Sequence, residues 1–150
     1  MCVIIRTYGS TTLETHNVAN NLAGRTDLME KQIGWKKVAI YKTKDQFVDY
    51  GFQQDAILKL EILGDVRHGP ELCNGGMRKS RTSRVRVLAV YALKTTRKIK
   101  KYFRIESFHD GNYTYKVGAI MKPKLPFSKG RQECASGIHF FEVRSWAEQW

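Results

Sequence analysis

The sequence predicts a single β-dominated α+β domain: a twisted, mostly antiparallel sheet, entered through a short solenoid-like turn and closed by a C-terminal helix. Three observations predict it. Apolar residues recur at period two from Trp35 onward, glycine- and proline-bearing turns punctuate those runs, and helix signals are confined to two short stretches. The 150 residues suit one domain, and a chain of that size buries ~68–70% of the surface it exposes when unfolded. That domain divides near residue 35, with a strand and a segment of five-residue period over 1–35 and the β-rich part over 36–150.

Taken in order, Val3-Ile4-Ile5-Arg6-Thr7-Tyr8 is a β-branched run ended by Gly9-Ser10, the signature of a strand. The chain then falls into fives centred on Leu13, Val18, Ala23, Leu28 and Ile33, with mostly polar flanks. A repeat of five suits neither helix nor flat strand. It resembles the pentapeptide-repeat coil, which implies a square β-solenoid with each central residue pointing to the axis. One amphipathic helix over 12–32, interrupted at Gly24, is the alternative.

Val38 and Ile40 share a face of 37–42, Leu58, Leu60 and Ile62 oppose Lys59 and Glu61, and Tyr113, Tyr115 and Val117 oppose Thr114 and Lys116. These alternations predict half-buried strands. Residues 85–93 are apolar on both faces after Arg86, predicting a central strand covered on both sides. Gly64-Asp65, His68-Gly69-Pro70, Asn74-Gly75-Gly76, Asp110-Gly111 and Ser128-Lys129-Gly130 read as turns or loops, His68 being a turn residue. Prolines hold Lys122-Pro123-Lys124-Leu125-Pro126-Phe127 extended, as a crossover loop or as an exposed arm. Residues 45–50 predict a turn or two of helix. Ser145-Trp146-Ala147-Glu148 reads as a capping box, Ser145 accepting from an N3 amide and Glu148 reaching back.

Net charge is +12, and its distribution is uneven. Between Glu71 and Glu106 no acidic residue occurs, while eleven basic ones do: Arg78, Lys79, Arg81, Arg84, Arg86, Lys94, Arg97, Lys98, Lys100, Lys101 and Arg104. Such a window attracts polyanions or acidic protein faces. Its Ser/Thr-interleaved start suits phosphate oxygens, where charge and counterion release supply the affinity. Stacking aromatics are not interleaved with its basic residues, apart from Tyr102 and Phe103 at its edge, so a single-strand platform lacks support. The same sign of charge excludes DNA mimicry, which needs an acidic exterior.

Cys2, Cys73 and Cys134 are odd in number and form no C-x-x-C pair, arguing against a disulfide framework or a zinc ribbon and for a reducing compartment. Cys134 and His139 are the nearest approach to a thiol-and-base pair, or to two metal ligands completed by His109 or Cys73. A spacing of five puts them on opposite faces of a strand, unless Gly137 turns the chain. Neither a triad nor a full ligand set can be named, so no catalytic residue, metal or cofactor is expected, and both side chains read as packing. No apolar run approaches the ~18 residues of a membrane span, and the first eight are too short for a secretory signal.

Ile33-Gly34-Trp35-Lys36-Lys37-Val38, Lys59-Leu60-Glu61-Ile62, the run from Arg78 to Tyr91, Tyr115-Lys116-Val117-Gly118 and Glu133-Cys134-Ala135-Ser136-Gly137-Ile138-His139-Phe140-Phe141 follow one another in a distinctive order. Over about residues 33 to 150 that order resembles the uncharacterised domain that follows pentapeptide repeats in proteins of large DNA viruses, phages and some bacteria. The resemblance implies an architecture and a viral setting, and no activity. The chain departs from it in the insert 69–77, the extra basic run 94–101 and the shortness of the repeats.

These readings lead to a non-enzymatic structural or interaction protein of a large DNA virus, a minor capsid or virion component bridging other proteins through its basic face. The expected location is the virion, otherwise the host cytoplasm, and the expected partners are virion or host proteins with acidic surfaces. A nucleic-acid-binding protein using 78–104 is the alternative, and a thiol enzyme or metal site around Cys134 is the third.

Overall fold

The computed structural model describes residues 30–48, 53–73, 76–130, 132 and 135–150. The N-terminal strand, the five-residue units up to Met29 and Cys134 lie outside the described residues. The expected β-dominated architecture is present, with antiparallel sheets and a short C-terminal helix. The single twisted sheet is corrected to two.

The larger sheet is built around β1 (Ile33–Tyr41) and β2 (Gln54–Ile62), which pair antiparallel from Ile33 opposite Glu61 to Ile40 opposite Gln54. Strand β1 is rich in β-branched and aromatic residues, which pack well on a pleated surface, and β2 carries the alternation of Leu58, Leu60 and Ile62. Helix α1 (Lys44–Val48) lies in their connection, close to the predicted 45–50. Strand β5 (Val85–Ala92) joins the far side of β2, β6 (Arg104–Glu106) joins β1, and β7 (Ile120–Met121) joins β5. The last five-residue unit is not a solenoid side, because Ile33, Gly34 and Trp35 already belong to the β1 ladder.

The smaller sheet contains β3 (Val66–Cys73), β4 (Met77–Thr82) and β8 (Ile138–Phe140), in that order. His68-Gly69-Pro70 is therefore strand, not turn. Proline is accommodated because β3 is an edge whose pairing shifts between His68 and Glu71. Gly69 is required by a close approach, since a Cβ there would stand 2.5 Å from the Lys79 carbonyl oxygen. Of the insert 69–77, the first five residues belong to β3 and Met77 opens β4.

A pair of backbone hydrogen bonds joins the sheets: Trp35 and Phe141 exchange N–H and carbonyl groups, each at 2.7 Å. Phe140 beside that junction is fully buried with Val38, Ile40, Leu58, Leu60, Val85, Val87 and Ile138 in the main core. A second cluster, Ile57, Phe141 and Ala147 with Trp35 and Trp146, seats helix α2 (Arg144–Gln149).

Three further expectations are corrected. Strand β5 buries only one face, through Val85, Val87, Val90 and Ala92. The parity changes because Leu60 faces Val87 while Lys59 faces Ala89, leaving Leu88 as an extra, bulged residue. Residues 112–118 form no strand; Thr114 makes an isolated bridge to Glu106, and a turn with Gly118 at φ +87° ends the stretch. Helix α2 has no capping box. It starts after Val143, which supplies no side-chain cap, and Ser145 lies inside it. Glu148 instead accepts from Arg144 Nε at 2.9 Å and from the Lys94 N–H at 3.1 Å, tying the helix to the turn after β5.

Candidate anion-binding surfaces

The basic window splits by what its side chains already hold. Arg81, on β4 opposite His139, is buried at 2% exposure. Its guanidinium donates to the carbonyls of Ser128 at 2.6 Å, of Ser136 at 3.1 Å and of Gly130, and lies 5.7 Å from the Phe127 ring. Burial, and then Arg67 directly across the ladder, lower its pKa. This residue clamps the 122–130 crossover to the smaller sheet and is not offered to a partner. Arg86 Nη1 is bound to Glu61 at 2.8 Å, which Lys31 also reaches at 3.1 Å. The Lys31 hydrogen bond, followed by that of Arg86, holds the Glu61 carboxyl below the usual range against the effect of burial. Arg104 pairs with Glu106 and lies 4.6 Å from the Phe47 ring. Arg78 and Arg84 are exposed on either end of β4, Arg84 donating to the Leu63 carbonyl at 3.2 Å.

The rest form a separate feature. After β5 the chain reverses, Lys94 taking φ +55°, and returns along the β5 edge with Ala92 and Arg97, then Val90 and Ile99, joined by backbone hydrogen bonds. Lys94, Arg97, Lys98, Lys100 and Lys101 are exposed on this return. Among the described residues no carboxylate pairs with any of them, whereas Lys37, Arg86, Arg104, Lys124 and Arg144 are each matched. Lys98 Nζ lies 6.0 Å from the Tyr91 ring, and Phe103 just beyond is 48% exposed.

Lys79 belongs elsewhere. It is 7% exposed and, 4.7 Å from the Trp150 ring, lines a cavity of about 180 Å³ with Lys36, His109, His139 and Phe141. The cavity lies where β1 and β8 part beyond the Trp35–Phe141 junction, and Lys36 Nζ donates across that gap to the His139 carbonyl at 3.2 Å. Burial, with Lys79 second, lowers the Lys36 pKa to about 8. Partial burial, followed by Lys79 and Lys36, lowers that of His109. Two tyrosines of the neighbouring turn are driven the other way, Tyr113 to about 12 by burial and Tyr115 by burial and then by Tyr113 and Asp110.

Lys36 was not singled out from the sequence, although it shares strand parity with Val38 and Ile40 and so falls on an apolar face; His109 was weighed only as a completing metal ligand beside Cys134 and His139. Among the described residues no cluster of metal-ligating side chains occurs, and no described helix is long and apolar enough to cross a membrane.

No curated protein and no solved structure matches the chain. A family model, described as a family of unknown function (DUF5758), matches residues 21–147. That span takes in every strand of the described residues and most of α2. The chain therefore belongs to the DUF5758 family, whose function is unknown.

Proposed function

We propose that this protein is a non-enzymatic structural or interaction protein that docks an acidic protein neighbour through the return at 94–101. The resemblance read from the sequence supplies the setting: a large DNA virus, with the protein as a minor virion component bridging others. The observation that carries the docking surface is the concentration of Lys94, Arg97, Lys98, Lys100 and Lys101 on one exposed return without a described carboxylate partner. Clustered like charges repel one another, and an acidic face relieves that repulsion while steering association. The backbone hydrogen bonds to β5 present them on a fixed edge.

Crosslinking mass spectrometry in the native source tests this reading. Crosslinks from Lys94, Lys98, Lys100 and Lys101 to an acidic protein of purified particles are expected. Absence of the protein from particles overturns the virion placement. If the return crosslinks to no protein while the purified chain binds DNA with affinity falling steeply with salt, nucleic acid replaces the protein partner.

A further inference from the structure

We infer, resting on the docking reading above, that the partner presents an acidic peptide segment with one aliphatic side chain. That side chain enters a recess beside β5, and the flanking carboxylates meet Lys98 and Lys100. Strand β5 gives its outer edge to two segments: Gly118 and Ala119 bond to Val87, and Ile99 bonds to Val90. Leu88 and Ala89 lie between those two sets of bonds, at the bulge opposite Lys59 and Leu60. A recess of about 260 Å³ opens there, walled by Leu88, Ile99, Tyr102 and Val117, and the exposed Lys98 and Lys100 also line it. Ile99, Tyr102 and Val117 pack against the main core, which fixes these walls in place. Leu88 is half-buried and belongs to neither core cluster.

Size and charge choose the occupant. At about 260 Å³ the recess is smaller than small-molecule sites of ~300–1,000 Å³ and suits a single side chain. Apolar walls beside exposed charge are the arrangement of a protein interface, in which a buried anchor supplies affinity and the polar rim sets specificity. Among the described residues Lys100 meets neither carboxylate nor ring, and Lys98 meets the Tyr91 ring at 6.0 Å, so both amines are open to carboxylates. A second copy of the chain carries +12 itself and would bring like charge to the return. A nucleic-acid backbone supplies phosphates but no aliphatic anchor.

Fluorescence anisotropy of the full chain with labelled probes tests the site. The probes are a short glutamate-rich peptide with a central leucine, the same peptide with serine in that place, and a single-stranded oligonucleotide of equal charge. The leucine peptide is expected to bind about tenfold or more tighter than the serine peptide, the scale of burying one aliphatic side chain. Leu88→Gln should remove most of that difference and leave the serine peptide's affinity unchanged. Lys100→Ala should weaken both peptides and reduce their salt dependence. Equal affinity of the two peptides overturns the recess and leaves docking by 94–101 standing, provided Lys100→Ala still weakens both. Failure of both peptides to bind overturns the recess and the docking reading together. A leucine advantage that persists in Leu88→Gln, or an oligonucleotide that binds more tightly than either peptide, also overturns the recess. The peptide comparison uses the unaltered chain and holds whether or not a variant folds.

Discussion

Lys36 sets a residue-scale tension in the fold. The unfolded chain holds its proton up to the ordinary 10.5, whereas the folded chain releases it near 8. Between those values the unfolded state binds more protons, so stability rises with pH across that window. At pH 7 the folded state carries the full cost, about 3 kcal/mol at ~1.36 kcal/mol per unit. Lys36→Met keeps the length and removes the charge, at the loss of one hydrogen bond to the His139 carbonyl. It is expected to stabilise the protein by about 1–3 kcal/mol near pH 7, with the gain shrinking towards pH 10. Urea denaturation at the two pH values measures this; a variant no more stable than the parent at neutral pH rules it out. Arg81→Ala has the opposite sign. It strands the carbonyls of Ser128, Gly130 and Ser136, and a loss of about 3 kcal/mol in chemical denaturation is expected. An unchanged midpoint would show that solvent replaces the guanidinium at no cost.

Strand β1 is the element on which the molecule turns, since it lies in the larger sheet and bonds through Trp35 to Phe141 beside β8. Its entry passes Phe140 through Gly34, where a Cβ would stand 2.5 Å from the Phe140 ring and 2.9 Å from Ile62 Cδ1. Both neighbours are side chains on the packed face, so Gly34→Ala should cost about 1–3 kcal/mol by overpacking. Adding Phe140→Leu should recover part of that cost if the two positions couple. Thermal melts of the single and double variants decide; additive losses would place the strain elsewhere. Elements of this kind differ in how plainly the chain announces them. Leu58 and Leu60 declare β2 because their alternation runs unbroken against Lys59. Strand β5 hides its single buried face, since the bulge at Leu88 shifts parity and makes both faces look apolar. The smaller sheet is concealed by Gly69-Pro70, which reads as a turn by local chemistry and becomes an edge strand only through pairing with β4. The α2 capping box fails for a related reason: docking of Trp146 and Ala147 sets where the helix starts, and tertiary contact outweighs a favourable cap.

At the scale of the whole molecule, +12 is a sum over charges of different kinds. Arg81, Arg86 and Arg104 lie in the basic window yet are occupied by carbonyls or carboxylates, and Lys79 faces a cavity. Sequence counts charge along the chain, whereas what a partner meets is charge left after folding has matched it. The cavity escaped the sequence for the same reason, because Lys36, Lys79, His109 and His139 come from four distant stretches that only the join between sheets brings together. The return at 94–101 keeps its charges outward on an edge that contributes little to the core, so function and stability should separate there. Replacing Lys98, Lys100 and Lys101 together by Glu is expected to leave the melting temperature unchanged or slightly raised, as mutual repulsion is relieved. The same change should abolish association with an acidic partner and flatten its salt dependence. Melting curves alongside pull-down at two salt concentrations measure both halves. A variant that unfolds would make the return a structural element, and one that still associates would move the docking surface to Arg78 and Arg84.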